Sequence, residues 1–216
     1  APESSVLLDM MKKSYSLLSA NPVNQARIAR GQRPANSLWF WGEGRKPGLA
    51  DFHKIRGLKG AVVSAVDLVK GLGICAGMEV ISVPGATGTI DTNFTGKAQA
   101  ALDFLKNRGD FVYLHMEAPD ECGHRHEVQN KVKSIELIDE KVVGPIKEAL
   151  AGLDDYRILV MPDHPTPLAL RTHTHDAVPY LIYDSRYPEI RSGNQKYTEA
   201  DAGNTGVYIG EGYTLM

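Results

Sequence analysis

The sequence predicts an α/β fold: a mostly parallel sheet with helices on both faces. Three observations point there. Short apolar runs alternate with helix-like stretches. Gly and Pro punctuate their ends. The polar, chemically active residues gather just after the apolar runs, as they do at the carboxyl edge of a parallel sheet.

Element by element, positions 5–20 carry Leu7, Leu8, Met11, Tyr15, Leu17 and Leu18 at helical spacing, and Asn21-Pro22 stops the run. The basic stretch 25–36 reads as a linker. The aromatic run 37–41 reads as a short strand, and 59–64 as a buried one. A helix is expected over 66–77, a strand over 79–83, a helix over 97–108 and a strand over 110–116. Positions 128–150 read as one long helix with Val128, Val132, Ile135, Ile138, Val142 and Ile146 on one face. Strands are expected again over 157–161 and 178–183. The domain reading is a helix and linker over 1–36, leading into an α/β domain over 37–216. The chain opens on Ala1 inside a helical pattern and ends on Gly210–Met216 without a closing element. We therefore expect an incomplete domain.

Composition narrows the function classes. Of 216 residues, 43% are hydrophobic and 23% charged, which suits a packed globular core. The net charge of −2, with scattered basic residues, argues against a nucleic-acid partner. No apolar run reaches the roughly 20 residues a spanning helix needs, so no membrane partner is expected. Two cysteines, Cys75 and Cys122, fit a reducing cytosol better than a disulfide scaffold, so the expected location is cytoplasmic. Oligomeric state is not legible.

Chemistry concentrates in three segments. After 110–116 comes Glu117-Ala-Pro-Asp120-Glu-Cys-Gly-His124-Arg-His126. After 157–161 comes Asp163-His164-Pro-Thr-Pro. Before 178–183 comes Arg171-Thr-His173-Thr-His175-Asp176. Asp120 and His124 are four apart, so one helical turn puts both on one side. Asp163 and His164 are adjacent. They would diverge in a regular strand but can turn together at an irregular strand end before proline. Taken singly, each segment could be a turn, a cap or a solvated loop. Together, Asp and His without Cys favour a borderline-to-hard divalent ion.

These motifs carry a resemblance. Asp-x-x-Gly-His, then Asp-His after a strand, then Thr-His-Thr resembles the alkaline-phosphatase superfamily. The segments Asn21–Asn24, Gly57–Gly71, Pro84–Gly88 and Glu117–His124 resemble its archaeal-type, cofactor-independent phosphoglycerate mutases. The resemblance implies two divalent ions, Mn²⁺ first, with Zn²⁺ or Mg²⁺ as alternatives. It implies Asp120, His124 and His173 as ligands of one ion, and Asp163 and His164 as ligands of the other. Lys70 and Arg45 are implied near a phosphate-ester substrate, a phosphoglycerate. A serine nucleophile and one more aspartate are also implied, and neither is identified here. Ala1-Pro2-Glu3-Ser4 resembles the nucleophile loop, but the following residues read as plain helix. His126 and His175 receive no role. The implied reaction interconverts 3-phosphoglycerate and 2-phosphoglycerate. The alternatives are a related phosphomutase or phosphatase, and a non-catalytic metal-binding domain. A small-molecule kinase is disfavoured, since Pro84–Gly88 lacks the lysine or serines of a phosphate cradle.

Overall fold

The computed structural model describes residues 2–42, 44–153, 155–188 and 196–215. Ala1, Glu43 and Met216, each part of a segment read above, lie outside the described residues. The chain divides into two compact units, Ala1–Pro47 and Gly48–Met216.

In the first unit, α1 (Pro2–Ser19) is followed by α2 (Pro22–Ala29). Asn21-Pro22 ends one helix, as expected, but also starts the next. The Asn21 side chain accepts from Val23 N–H, and Pro22 occupies the first turn, where a missing N–H costs nothing. The expected linker is therefore helical in its first part. Buried Asn24 then clasps the returning chain. Its amide donates to the Leu18 and Ala35 carbonyls and accepts from Ala35 N–H. The expected strand over 37–41 is absent. Trp39 and Trp41 are 78% and 83% exposed, and these residues pair with no strand among the described residues. Aromatic propensity alone does not make a strand without a partner.

The second unit opens with α3 (Phe52–Arg56), capped by Asp51, and then β1 (Gly60–Val63). Next come α4 (Asp67–Cys75), β2 (Glu79–Ile81), α5 (Phe94–Asn107) and β3 (Phe111–Leu114). The three strands form a parallel sheet in the order β2-β1-β3. Ala61, Val62 and Val63 are all buried, as a central strand covered on both faces requires. The chain moves from β1 outward to β2, then back across β1 to β3. Right-handed crossovers place α4 and α5 on opposite faces. Gly73 lets α4 sit on β1, since a Cβ there would stand 2.6 Å from Val62 Cγ2. Helix α5 buries Phe94, Ala98, Ala101, Leu102 and Phe104. Phe94 and Ala98 pack with Ala118 and Val142 in the core, and a Phe94→Ala hole there would cost about 3–5 kcal/mol.

After β3 come α6 (Ala118–Arg125), α7 (Val128–Ile138), a π-helical turn (Asp139–Val143) and α8 (Gly144–Leu150). The single long helix expected over 128–150 is thus continuous but not regular. Pro145 has no N–H and crowds the preceding turn. The chain widens there, and Gly144 N–H reaches back to the Asp139 carbonyl. Leu137, Ile138, Val142 and Ile146 reach the core, while Val128, Val132 and Ile135 are exposed.

The last strands are β4 (Arg157–Val160) and β5 (Leu181–Asp184), followed by the short α9 (Glu199–Asn204) and a 3-10 turn, Gly212–Leu215. Strands β4 and β5 pair antiparallel in their own two-stranded sheet, while the three-stranded sheet is parallel throughout, as expected. The residues between them run through extended loops rather than a crossover helix, so the chain returns alongside β4 in the opposite direction. Among the described residues, no helix is long and apolar enough to cross a membrane.

Candidate metal centre

Strands β1 and β3 are neighbours whose onward connections leave to opposite faces. α4 follows β1 on one face, while the helical run after β3 packs with α5 on the other. Such a switch point leaves a crevice at the carboxyl ends of the strands. Ser64 and His115 lie in it, with the Ser64 hydroxyl 3.3 Å from His115 Nδ1.

Helix α6 begins just beyond. Pro119 fits its first turn, and one further turn separates Asp120 from His124. The segment after β4 passes close to this helix at Gly123. A Cβ there would stand 2.6 Å from the Thr166 carbonyl oxygen, too close for any side chain. Lys131 Nζ donates to the same carbonyl at 2.9 Å. The Thr166 hydroxyl donates to Asp120 Oδ1 and lies 3.3 Å from His164 Nδ1. Gly123→Ala is expected to push this segment outward. The result should be a loss of about 1–3 kcal/mol in urea unfolding and weaker divalent-ion binding at Asp120.

His124 Nδ1 lies 2.9 Å from the Arg171 carbonyl and donates to it. Arg171 takes a left-handed backbone, φ 56°, uncommon for a residue with a Cβ. This hydrogen bond leaves the His124 Nε2 lone pair facing the cluster. His124 Nε2 stands 3.0 Å from His173 Nε2 and 3.4 Å from Asp120 Oδ2, and His173 Nε2 stands 3.3 Å from Asp120 Oδ1. A tetrahedral ion with bonds of about 2.0–2.1 Å separates its ligand atoms by about 3.3–3.4 Å. The two separations to Asp120, one through each carboxylate oxygen, match that edge, and the two imidazole nitrogens lie closer together. His173, with a side chain 52% exposed, leaves the open side a catalytic centre needs.

Asp163 and His164 sit at the carboxyl end of β4. Asp163 Oδ2 is 3.6 Å from His164 Nε2 and 3.8 Å from His115 Nε2. The adjacent His115 ring holds the Asp163 carboxyl down at about 2, against the opposing effect of burial. The two groups are not separate. The His164 ring lies against His173, centroids 3.8 Å apart. Ligand atoms of Asp120, His164 and His173 also fall within 4.8 Å of one another. These three form a set that could hold an ion, and His124 Nε2 joins it through His173.

Lys70, in the first turn of α4, is held by Asp67 at 2.9 Å, and none of its described hydrogen bonds reaches the His and Asp cluster. Arg45 is exposed in irregular chain of the first unit, and Ser4 lies in α1 of the same unit. His126 caps α6 with φ 59° and donates from Nδ1 to the Leu168 carbonyl, which explains its presence without a ligand role. His175 is exposed in irregular chain.

Sequence reasoning missed Thr166, His115 and Ser64. Thr166 stands inside the Pro-Thr-Pro segment that follows His164 and received no role from the sequence. His115 and Ser64 each end an apolar strand, and a polar residue at that position was the available signal. Buried Lys97 also escaped notice. It donates to the Thr87 carbonyl at 3.3 Å, and burial lowers its ammonium pKa while raising that of nearby Glu117.

A switch-point crevice lined with Asp and His defines a divalent-metal protein of α/β type, and the chain belongs to the metalloenzyme superfamily, whose family pattern matches residues 7–205. Within it, the similarity is to phosphoglycerate mutases. The 2,3-bisphosphoglycerate-independent phosphoglycerate mutase of Methanothrix thermoacetophila is 54% identical over 181 residues, which cover 83% of this chain and 46% of that one. A probable enzyme of the same name from Geobacter sulfurreducens is 48% identical over 210 residues, 97% of this chain and 52% of that one. A solved protein of Pyrococcus horikoshii matches with TM-score 0.79 and 32% identity, over 94% of this chain and 52% of that one. The chain spans about half the length of the curated relatives it matches.

Proposed function

We propose that this chain forms part of a metal-dependent phosphoglycerate mutase, acting in the cytoplasm on 3-phosphoglycerate and 2-phosphoglycerate. The observation that carries the reading is the meeting of Asp120, His124 and His173 at ion-coordinating separations, with Asp163 and His164 beside them. Similarity to the two mutases named above supports the choice of reaction.

In this reading Asp120, His124 and His173 hold one ion, while Asp163 and His164 contribute to a second. Mn²⁺ is the first choice, with Zn²⁺ or Mg²⁺ as alternatives. Bound ions would supply electrostatic stabilisation of charge on the attacking and phosphoryl oxygens. The chain's own part is positional. Thr166 fixes the Asp120 carboxylate, and the Arg171 carbonyl fixes the ring of His124. Lys70 would meet the phosphate on release from Asp67, with Arg45 as a second contact. A serine not assigned in this chain would carry the phosphoryl group between the two hydroxyls of the glycerate. Residues 37–216 would belong to the catalytic α/β domain and 1–36 would lead into it.

The test is an enolase-coupled assay on a protein of the relatives' full length that contains this chain. Mn²⁺-dependent conversion of 3-phosphoglycerate, abolished by chelation and restored by Mn²⁺, is the expected result. Release of inorganic phosphate without interconversion would instead make it a phosphatase. Metal binding with neither activity would leave a non-catalytic metal-binding domain.

A further inference from the structure

We propose that Ser64 and His115 form a pair that orients Asp163, with His115 as the hydrogen-bond donor to this carboxylate and not itself a metal ligand. The argument starts from the serine. Ser64 closes β1 and is 4% exposed. Its hydroxyl oxygen accepts from Val66 N–H at 3.0 Å, which fixes its place. A buried hydroxyl proton needs an acceptor. The one within reach among the described residues is His115 Nδ1, at 3.3 Å.

A neutral imidazole that accepts at Nδ1 must carry its proton at Nε2. The opposite tautomer would point an N–H at Ser64 and leave the serine proton buried without a partner. The His115 backbone is fixed as well, because its N–H extends the β1–β3 ladder to the Val63 carbonyl at 2.9 Å. The ring runs nearly parallel to that of Tyr113, with an interplanar angle of 11°. Nε2–H therefore faces Asp163 Oδ2, 3.8 Å away, a gap that a shift of under roughly one ångström turns into a hydrogen bond. His115 has no lone pair on that side to offer an ion. It steadies the carboxylate, as Thr166 does for Asp120. His115 is thus a positioning residue on β3, acting on a residue that follows β4.

Two measurements test this. The first is the tautomer of His115 in the metal-free chain, read from long-range ¹⁵N–¹H correlation spectra at a pH where the ring is neutral. An Nε2–H ring that becomes a tautomer mixture in Ser64→Ala is the expected result. An Nδ1–H ring, or a tautomer unmoved by Ser64→Ala, overturns the proposal. The second rests on the reading of Asp163 as a ligand and uses Mn²⁺ alone, on a protein of the relatives' full length containing this chain. His115→Ala should weaken binding of one Mn²⁺ by about 10–100-fold. His115→Gln, which places an amide N–H near the Nε2 position, should restore most of it. In an Asp163→Ala background His115→Ala should have no further effect. A His115→Gln protein that is folded yet as weak as His115→Ala, or a full His115→Ala loss on top of Asp163→Ala, overturns the positioning role. If Asp163→Ala itself leaves Mn²⁺ binding intact, the ligand assignment fails, while the tautomer result stands on its own.

Discussion

The purified 216-residue chain is expected to bind a divalent ion but to give no phosphoglycerate interconversion with added Mn²⁺, Zn²⁺ or Mg²⁺. The reasons are chemical. Asp120, His124 and His173 offer three ligand atoms at compatible separations, whereas Asp163 and His164 offer two. Ser64, which reaches the neighbouring His115, is buried and already engaged by Val66 N–H and that ring. Loss of a nucleophile removes the covalent route itself, so the expected signal is the buffer background. Calorimetry should show Mn²⁺ binding that Asp120→Ala weakens by at least about 100-fold, beyond what loss of an outer partner does. Turnover by this chain, lost in Ser4→Ala, would overturn the expectation and place the nucleophile in α1.

The second large effect is at Asp163. In an active protein of the relatives' full length, Asp163→Ala should lower kcat by roughly 10²–10³-fold or more, the scale of losing one group that stabilises charge in the transition state. His164→Ala should act similarly. Circular dichroism and thermal unfolding should stay close to the parent, because Asp163 lies past the end of β4 and half its side chain is in solvent. A folded Asp163→Ala protein with parental kcat would remove Asp163 and its group from the catalytic machinery.

What the sequence made legible follows from how local each signal was. The strands Gly60–Val63 and Phe111–Leu114 are unbroken apolar runs beside glycines, and Asp120 with His124 shows helical spacing within five residues. Such information sits inside a short window. The pairing of β4 with β5 does not, since an isolated strand has no direction relative to its partner. Nor does the role of His115, which depends on Ser64 51 positions away and on Asp163 beyond α6, α7, α8 and β4. The aromatic run 37–41 misled because propensity was read without a partner. Of the stripe from Val128 to Ile146, the part from Ile138 onward reaches the core, while Val128, Val132 and Ile135 in α7 are exposed. In each case the missing information was tertiary.

The segment that carries His173 is irregular chain, tied down by individual hydrogen bonds and not by a strand or helix. Its anchors among the described residues include Thr174 N–H to the Pro165 carbonyl and the Arg171 carbonyl to His124. An ion bound by Asp120 and His173 would therefore act as a cross-link, closing the long stretch of chain between α6 and this segment. Ordering the segment and binding the ion become one equilibrium, so the measured affinity contains the cost of immobilising the chain. The same linkage makes the ion a protector of the backbone. Proteolytic cleavage near Arg171 should slow as Mn²⁺ is added, in proportion to site occupancy, with no change in the helices beneath.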